Sequence, residues 1–191
     1  MIEYLENIDR QIFMFLNGLH ADWLDPIMKQ ITSFWFWYPI AALFLVLTIV
    51  YYKKNFWIPL VFTILCFTFT DQGSNITKKN VKRYRPTHNI EIGESVHVVD
   101  DYRGGQYGFF SGHAANGFGL AFITLLFIRK RYYTWIVLIW AVLVSYSRIY
   151  MGVHYPSDIL VGAIFGTAMA FLIYKLCNSI PFFARKLNVI K

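Results

Sequence analysis

The chain has 191 residues, of which 57% are hydrophobic, 19% aromatic and only 15% charged. A soluble domain carries roughly 25% charged residues, so this chain has too few polar side chains to cover a water-exposed surface. The formal net charge is +7, but the basic residues stand in short clusters between apolar runs, as in membrane proteins, and not along one face. The length, without a linker, repeat or low-complexity tract, predicts one domain.

The first 33 residues are predicted to form an N-terminal amphipathic region. Apolar side chains recur there at helical spacing, whereas Glu6, Asp9 and Arg10 lie off the stripe. The stripe consists of Leu5, Ile8, Ile12, Phe15, Leu16 and Leu19. Such a helix either lies flat in the outer interface of the membrane or packs against the rest of the chain. The early acidic residues differ from the basic start of a cleaved signal peptide, so the segment is expected to be retained.

Five apolar segments follow and predict an all-α membrane bundle. They comprise residues 34–52, 56–70, 114–128, 132–147 and 159–174. A helix needs roughly 17 to 25 residues to cross the hydrocarbon core, so only the first segment has an ordinary spanning length. Each of the other four, taken alone, could be a buried helix of a soluble protein. Their polar ends favour the alternative, which is five transmembrane spans plus the N-terminal amphipathic helix.

The polar ends of the four short segments meet on one side if the spans alternate across the bilayer. In chain order these ends carry Asp71, Gln72, Asn75, Lys78, Ser111, Gly112, His113, Arg148, His154 and Asp158. Ionisable groups within a membrane protein are tolerated where they face a shared polar cavity. The short spans are therefore predicted to be completed by the residues of one active site at that surface.

Basic residues at the opposite ends of the spans predict the orientation. They are Lys53 and Lys54, then residues 129–131, and after the fifth span Lys175, Arg185, Lys186 and Lys191. Positive residues in short loops mark the cytoplasmic side. Residues 34–176 are thus predicted to form the transmembrane bundle, and residues 177–191 a basic cytoplasmic tail. The bundle is expected in the inner (plasma) membrane, with its site facing the periplasm or the outside.

Three clusters of polar residues carry the chemistry. They are Lys78 with Arg85-Pro86, then Phe110-Ser111-Gly112-His113, and then Ser147-Arg148 with His154 and Asp158. The clusters resemble the type 2 phosphatidic acid phosphatase family, which shares its site with vanadium haloperoxidases. They match its pattern K-x6-RP, PSGH and SR-x5-H-x3-D at every charged and catalytic position, and the resemblance covers roughly residues 70–174. One position departs, because Phe110 stands where the family often has a proline that would preset the turn into the helix.

The residue types in these clusters suit phosphoryl transfer. A transferring phosphoryl group carries spread negative charge, and its catalysis consists mainly of positioning and charge stabilisation. Lys78, Arg85 and Arg148 supply three cations, two of which can bind bidentately. Ser111 and Gly112 open a span whose free backbone N–H groups favour an anion. These five residues form the predicted phosphate-binding set.

The resemblance implies roles for three further residues. His154 resembles the family nucleophile, which attacks phosphorus to give a phosphohistidine. Asp158 is placed to accept the imidazole N–H and to hold the attacking nitrogen unprotonated. His113 resembles the general acid that protonates the leaving oxygen and later the base that activates water. Because the family uses cations where other phosphatases use a metal, we expect neither a metal nor a cofactor.

The loop between the second and third spans carries further polar side chains. They are His88, Glu91, Glu94, His97, Asp100 and Asp101. These residues could hold a metal, but their spacing matches no strong ligand signature, so a solvated loop is the favoured interpretation. Gly104 and Gly105 are expected to turn the loop back to the site, where Tyr102 and Tyr107 are candidates for substrate contact.

The predicted function is hydrolysis of a lipid phosphate or diphosphate among membrane lipids, without a nucleic-acid partner. Undecaprenyl diphosphate is the favoured substrate, because an outward-facing site suits the recycling of a carrier lipid. Phosphatidylglycerol phosphate, phosphatidic acid and lipid A are the alternatives. A vanadate haloperoxidase is disfavoured by the apolar spans, since those enzymes are soluble. A membrane scaffold or transporter with a vestigial anion pocket would not need His113, His154 and Asp158 together.

Overall fold

The computed structural model describes residues 2–187, and this part of the chain is all-helical, without a β-sheet. Eight α-helices lie in this range. They are α1 (Ile2–Asn17), α2 (Asp25–Thr32), α3 (Tyr38–Tyr52), α4 (Trp57–Val81), α5 (Gly112–Ile128), α6 (Arg131–Tyr150), α7 (Pro156–Ser179) and α8 (Pro181–Leu187). The predicted all-α fold is therefore confirmed.

Three helical stretches in the described range are long and apolar enough to cross a membrane. They are Phe34–Asn55, Arg131–Tyr150 and Pro156–Ser179. Helix α5 is apolar but has only 17 residues. Helix α4 has 25 residues, of which the apolar first half continues into a polar half that carries Asp71 and Lys78. Helices α4 and α5, which are not both long and apolar enough to cross a membrane, are thus among the helices that carry polar residues to one end of the bundle.

Helices α5 and α7 form the closest helix pair in this part of the chain. Gly162 and Gly166 face the backbone of α5, and a Cβ on Gly166 would lie 2.1 Å from the carbonyl oxygen of Ala115. A Cβ on Gly162 would lie 2.6 Å from the carbonyl oxygen of Ser111. Small residues allow this close approach of helix backbones, as in other membrane bundles. This contact fixes the start of α5 against the first three turns of α7.

The main apolar core fills the half of the bundle away from this polar end. It includes Phe62 of α4, Ile123 of α5, Val137 of α6 and Ile173 of α7. Helix α3 makes few contacts with its neighbours. Between α3, α4 and α5 lies an apolar cavity of about 350 Å³, whose lining includes Trp37. We call this space the α3 groove.

Helix α1 packs on the polar end of α6 and α7 through Asp9, Phe13 and Asn17, all of which are buried. The amide of Asn17 donates to the carbonyl oxygens of Ile149 and Tyr150. Four residues of the predicted apolar stripe, Leu5, Ile12, Phe15 and Leu19, are exposed, whereas Ile8 and Leu16 are partly buried. The two alternatives for this helix are therefore compatible, since one face contacts the bundle and the other is free to contact lipid.

The predicted basic tail at residues 177–191 begins inside α7, which runs to Ser179, and continues as α8. The amide of Asn55 donates to the carbonyl oxygen of Lys186 at 3.1 Å, so α8 contacts the basic turn between α3 and α4. Residues 188–191, which include Lys191, lie outside the described residues.

Candidate active site

A polar cavity of about 240 Å³ lies at the end of the bundle where the predicted site residues meet. Six of the eight residues in the predicted site line it, namely Lys78, Arg85, Gly112, His113, Arg148 and His154. The other two, Ser111 and Asp158, are completely buried directly behind the wall. Helices α4, α5 and α6, together with the loops before α5 and α7, thus bring the three sequence clusters to one place.

Lys78 and Arg85 reach the cavity from α4 and from the loop that follows it. A Cβ on Gly112 would lie 3.3 Å from Nζ of Lys78, so glycine lets the ammonium group lie close to the start of α5. Arg85 donates from Nε to the carbonyl oxygen of Tyr107 at 3.1 Å. Gly104 adopts a φ of +66°, and a Cβ there would lie 2.5 Å from Nη1 of Arg85. This turn of the loop therefore requires glycine, both for its backbone conformation and for its contact with the guanidinium.

Arg148 enters the cavity from the last turn of α6 and is 3% exposed. Its Nη1 donates to the hydroxyl of Thr32, and its Nη2 lies 3.5 Å from the hydroxyl of Tyr102. Among the described residues, Nε of Arg148 and Nη1 of Arg85 are buried without a hydrogen-bond partner. Burial and the charge of Arg148 lower the pKa of Arg85 below its ordinary value. Unused donors and mutually repelling cations would favour the binding of an anion in this cavity.

His154 and Asp158 form a buried pair at the start of α7. Oδ2 of Asp158 lies 3.4 Å from Nδ1 of His154 and accepts the backbone N–H of Tyr155 at 3.0 Å. Because Nδ1 faces Asp158, Nε2 is the ring nitrogen left for the cavity that His154 lines. Burial, followed by the charges of Arg85 and Arg148, lowers the pKa of His154 well below its ordinary value. The imidazole is therefore neutral at physiological pH and retains a lone pair.

His113 is the second residue of α5 and lines the cavity. The ring of Trp37 packs edge-on against it, with the ring centroids 6.1 Å apart. Ser111 is the N-cap of α5, and its hydroxyl accepts the backbone N–H of Ala114 at 3.4 Å. Its own backbone N–H donates to the carbonyl oxygen of Asp158 at 3.0 Å. The polar groups of Ser111 therefore hold the start of α5 in place beside α7.

Phe110 occupies the position where proline was expected from the resemblance. It is 4% exposed, and its carbonyl oxygen accepts the hydroxyl of Ser74 at 3.1 Å. Its ring packs on that of Phe165, with the centroids 4.9 Å apart. Packing and a hydrogen bond thus fix the chain at this point, where a proline ring would have restricted the backbone.

Three polar side chains of the loop before α5, His97, Asp100 and Glu91, form separate pairs with the N-terminal helices. His97 lies 3.0 Å from Oδ1 of Asp25, and Lys29 pairs with Asp100. Glu91 pairs with Arg10. Tyr102 lines the cavity, whereas the backbone oxygen of Tyr107 accepts a hydrogen bond from Arg85. The side chains of this loop do not converge on a single ligand position.

Arg83 links Asp158 and Asp9 through two ion pairs next to the site that were not predicted from the sequence. Arg83 donates from Nη1 to Oδ1 of Asp158 at 2.7 Å and from Nη2 to Oδ2 of Asp9 at 2.7 Å. Arg83 is one of the six unspecified positions of the K-x6-RP pattern, and Asp9 stood out only as an acid beside the apolar stripe. Asp71 and Asn116 also line the cavity and are hydrogen bonded to each other at 3.2 Å. The only signal for these contacts was polarity at the end of an apolar segment.

A cavity lined by three cations and a buried histidine, at one end of an apolar helical bundle, is typical of a membrane enzyme that acts on an anionic group. The family model of the PAP2 superfamily matches residues 56–180, and this range holds every residue of the three clusters. The chain belongs to the PAP2 superfamily and is a membrane lipid phosphatase. The resemblance stated from sequence and the predicted hydrolase activity are thereby confirmed.

Two relatives are similar over nearly the whole chain. The lipid A 4'-phosphatase of Bacteroides thetaiotaomicron is 37% identical over 187 residues, which cover 94% of this chain and 81% of the relative. The lipid A 4'-phosphatase of Porphyromonas gingivalis is 35% identical over 179 residues, which cover 92% of this chain and 75% of the relative. The crystal structure of a transmembrane PAP2-type phosphatidylglycerolphosphate phosphatase from Bacillus subtilis has the same fold. Its TM-score is 0.73 at 23% identity, over 94% of this chain and 89% of that chain.

Proposed function

We propose that this chain removes the 4'-phosphate from lipid A or a closely related phosphorylated glycolipid at the outer face of the cell membrane. The observation that carries the proposal is the similarity to two lipid A 4'-phosphatases over more than nine-tenths of the chain. The cavity supports it, because a phosphate monoester meets three cations there at the end of a membrane bundle. The reaction is phosphoryl transfer to His154 and then to water.

In the first step, Nε2 of His154 attacks phosphorus while Lys78, Arg85 and Arg148 hold the phosphate oxygens. The N–P bond forms as the bond from phosphorus to the sugar oxygen breaks, and His113 gives its proton to that leaving oxygen. The backbone N–H groups at the start of α5, at Gly112 and the next residue, point along the helix axis and favour the negative charge. The product of this step is a phosphohistidine and a dephosphorylated lipid.

In the second step, water attacks the phosphorus of the phosphohistidine. His113, now without its proton, accepts one from the water, the P–N bond breaks, and inorganic phosphate leaves with His154 restored. Asp158 keeps Nδ1 of His154 protonated throughout, so that Nε2 is the nitrogen that attacks and later leaves. The one proton that His113 takes from water in this step replaces the one that it gave to the sugar oxygen, so the enzyme returns to its starting state.

We also propose that α3 to α7 are five transmembrane spans, with the cavity outside and the basic turns inside. Residues 1–33 are then an outer amphipathic region, residues 34–176 the transmembrane bundle and residues 177–191 the cytoplasmic tail. This arrangement is supported by the position of the basic turns, at residues 53–54 and 129–131, away from the cavity. In a Gram-negative cell the site would face the periplasm.

Cysteine labelling tests this orientation. Ile90 is 98% exposed in the loop near the cavity, and Lys130 is exposed in the turn between α5 and α6. In a background where Cys66 and Cys177 are replaced by serine or alanine, an impermeant maleimide added to intact cells should label Ile90→Cys and not Lys130→Cys. Both variants should be labelled after the membrane is permeabilised. Labelling of Lys130→Cys in intact cells would rule out the five-span arrangement.

Phosphate release by purified protein tests the substrate. We expect lipid A carrying a 4'-phosphate to be the best substrate in a panel that also contains undecaprenyl diphosphate, phosphatidylglycerol phosphate and phosphatidic acid. Vanadate should inhibit competitively, because it occupies a phosphate cradle, and a chelator should leave the activity intact. Mass spectrometry of the lipid product identifies which phosphate has left. Preference for undecaprenyl diphosphate, the substrate favoured by sequence, would overturn the lipid A assignment and leave the mechanism standing.

A further inference from the structure

The side chain of Asp158 has a partner on each of its two oxygens. Oδ2 faces Nδ1 of His154, whereas Oδ1 accepts a hydrogen bond from Nη1 of Arg83 at 2.7 Å. The Asp158 side chain is 0% exposed and that of Arg83 is 19% exposed. A carboxylate in this setting is expensive to bury without a cation. Arg83 therefore supplies the charge that allows Asp158 to be ionised where His154 needs it.

Arg83 is in turn held from its other side by α1. Its Nη2 donates to Oδ2 of Asp9 at 2.7 Å, and its guanidinium carbon lies 4.3 Å from the centre of the Tyr155 ring. Asp9 also accepts the backbone N–H of Ser157, in the first turn of α7, at 2.9 Å. A planar guanidinium with two ion pairs and an aromatic ring against it has little freedom to move.

We propose that Arg83, clamped by Asp9 of α1, is a positioning residue for the nucleophile. It fixes the plane of the Asp158 carboxylate, and this carboxylate fixes the ring of His154 so that Nε2 points at phosphorus. The path from Asp9 through Arg83 and Asp158 to His154 makes α1, which lies outside the matched family range, part of the catalytic geometry. This inference rests on the proposed role of His154.

The kinetic test begins with Arg83→Gln in the purified full-length protein. A misplacement of the attacking nitrogen by about 1 Å lowers the rate by about 100-fold, so kcat should fall by about that factor. KM should stay within about twofold, because Arg83 does not line the phosphate cavity. The matched control is Arg10→Gln, which removes the neighbouring surface pair between α1 and Glu91 and should leave kcat unchanged. Equal losses in the two variants would show that Arg83 only anchors α1.

The pH profile separates positioning from general damage. His154 is faced by charged or titratable groups from every element packed against it, namely Lys78, Arg83, Arg85, His113, Arg148 and Asp158. Burial and the cations among these groups, Arg83 included, lower the pKa of His154. Loss of the Arg83 charge should raise the pKa of His154. The acid limb of the kcat/KM profile, below which His154 is protonated and cannot attack, should therefore move to higher pH in Arg83→Gln. In Arg83→Lys the charge remains, so the limb should stay in place while kcat recovers only in part, since lysine lacks the fork that bridges two carboxylates.

A double-mutant cycle tests the clamp itself. Asp9→Asn should lower kcat by roughly 10-fold in the native background and by less than about twofold in the Arg83→Gln background, because the two residues act through one path. Additive losses, or an unmoved acid limb in Arg83→Gln, would overturn the proposal. If Arg83→Gln does not fold, as judged from its melting temperature, Asp9→Asn and Arg83→Lys decide the matter by the same two readouts. Activity in His154→Ala would instead reject the proposed function, so the two failures are distinguishable.

Discussion

Replacing His154 with alanine should abolish turnover of every lipid phosphate and lower kcat by a factor on the order of 10⁶, as the removal of a nucleophile does in serine proteases. The reason is geometric as well as chemical. The ring is 2% exposed, its Nδ1 faces Asp158, and it lines the cation cavity. Within the described residues, no other imidazole is both neutralised by burial and held by a carboxylate in that cavity. Without it, no covalent intermediate can form.

The measurement is rapid quenching with a radiolabelled phosphate substrate, followed by detection of acid-labile, base-stable phosphoprotein. The native protein should show a phosphoenzyme, and His154→Ala should show none. His20→Ala is the matched control, because His20 is an exposed histidine that stacks on His97 away from the cavity. A phosphoenzyme in His154→Ala would assign the nucleophile to another residue.

Replacing His113 with asparagine should slow phosphate monoesters far more than diphosphates. From a monoester the leaving group is an alkoxide, about as basic as hydroxide, whose parent water has a pKa of about 15.7. Such a group departs poorly without a proton, so a loss of roughly 100- to 10,000-fold is expected, the range of a removed general acid. From a diphosphate the leaving group is a phosphate, whose second pKa is about 6, and it can depart largely unassisted.

The comparison requires the first turnover, because water activation in the second step is impaired on both substrates. His113→Asn should therefore accumulate phosphohistidine when a diphosphate is supplied and form it slowly when a monoester is supplied. An equal loss of the first step on both substrates would mean that His113 is not the acid for the leaving group. In that case its contact with Trp37 would indicate a packing role.

The composition of the site was accessible from sequence because its residues act through charge, and charge is conspicuous in an apolar chain. Lys78, Arg85 and Arg148 stand at the ends of hydrophobic segments where each ionised group carries a large desolvation cost. Alternation of the spans then places these ends together without knowledge of the packing. The same reasoning predicted the helical fold, since apolar segments of this length in lipid must satisfy their backbone hydrogen bonds as helices or barrels.

The contacts behind the site were not accessible, because they depend on how separate elements meet. Asp9 and Arg83 are 74 positions apart, and each has the appearance of an ordinary surface charge until α1 is placed on α7. The hydroxyl of Ser111 caps α5, a contact that was not predicted from the sequence, and the role of Ser111 in phosphate binding stays a prediction. The length of α4 was also missed, because hydropathy follows only its apolar half while the helix runs on to Val81.

The close contact between α5 and α7 limits how a bulky lipid can enter the site. The backbones of α5 and α7 are in close contact at Gly162 and Gly166, so we expect the two helices to move as one unit that carries His113 and His154. This unit cannot open to admit a substrate without separating the two histidines. Trp37, by contrast, lines both the cation cavity and the α3 groove. We therefore expect α3, which makes few contacts with its neighbours, to move away from the bundle when the acyl chains enter, while His113 and His154 keep their relative positions.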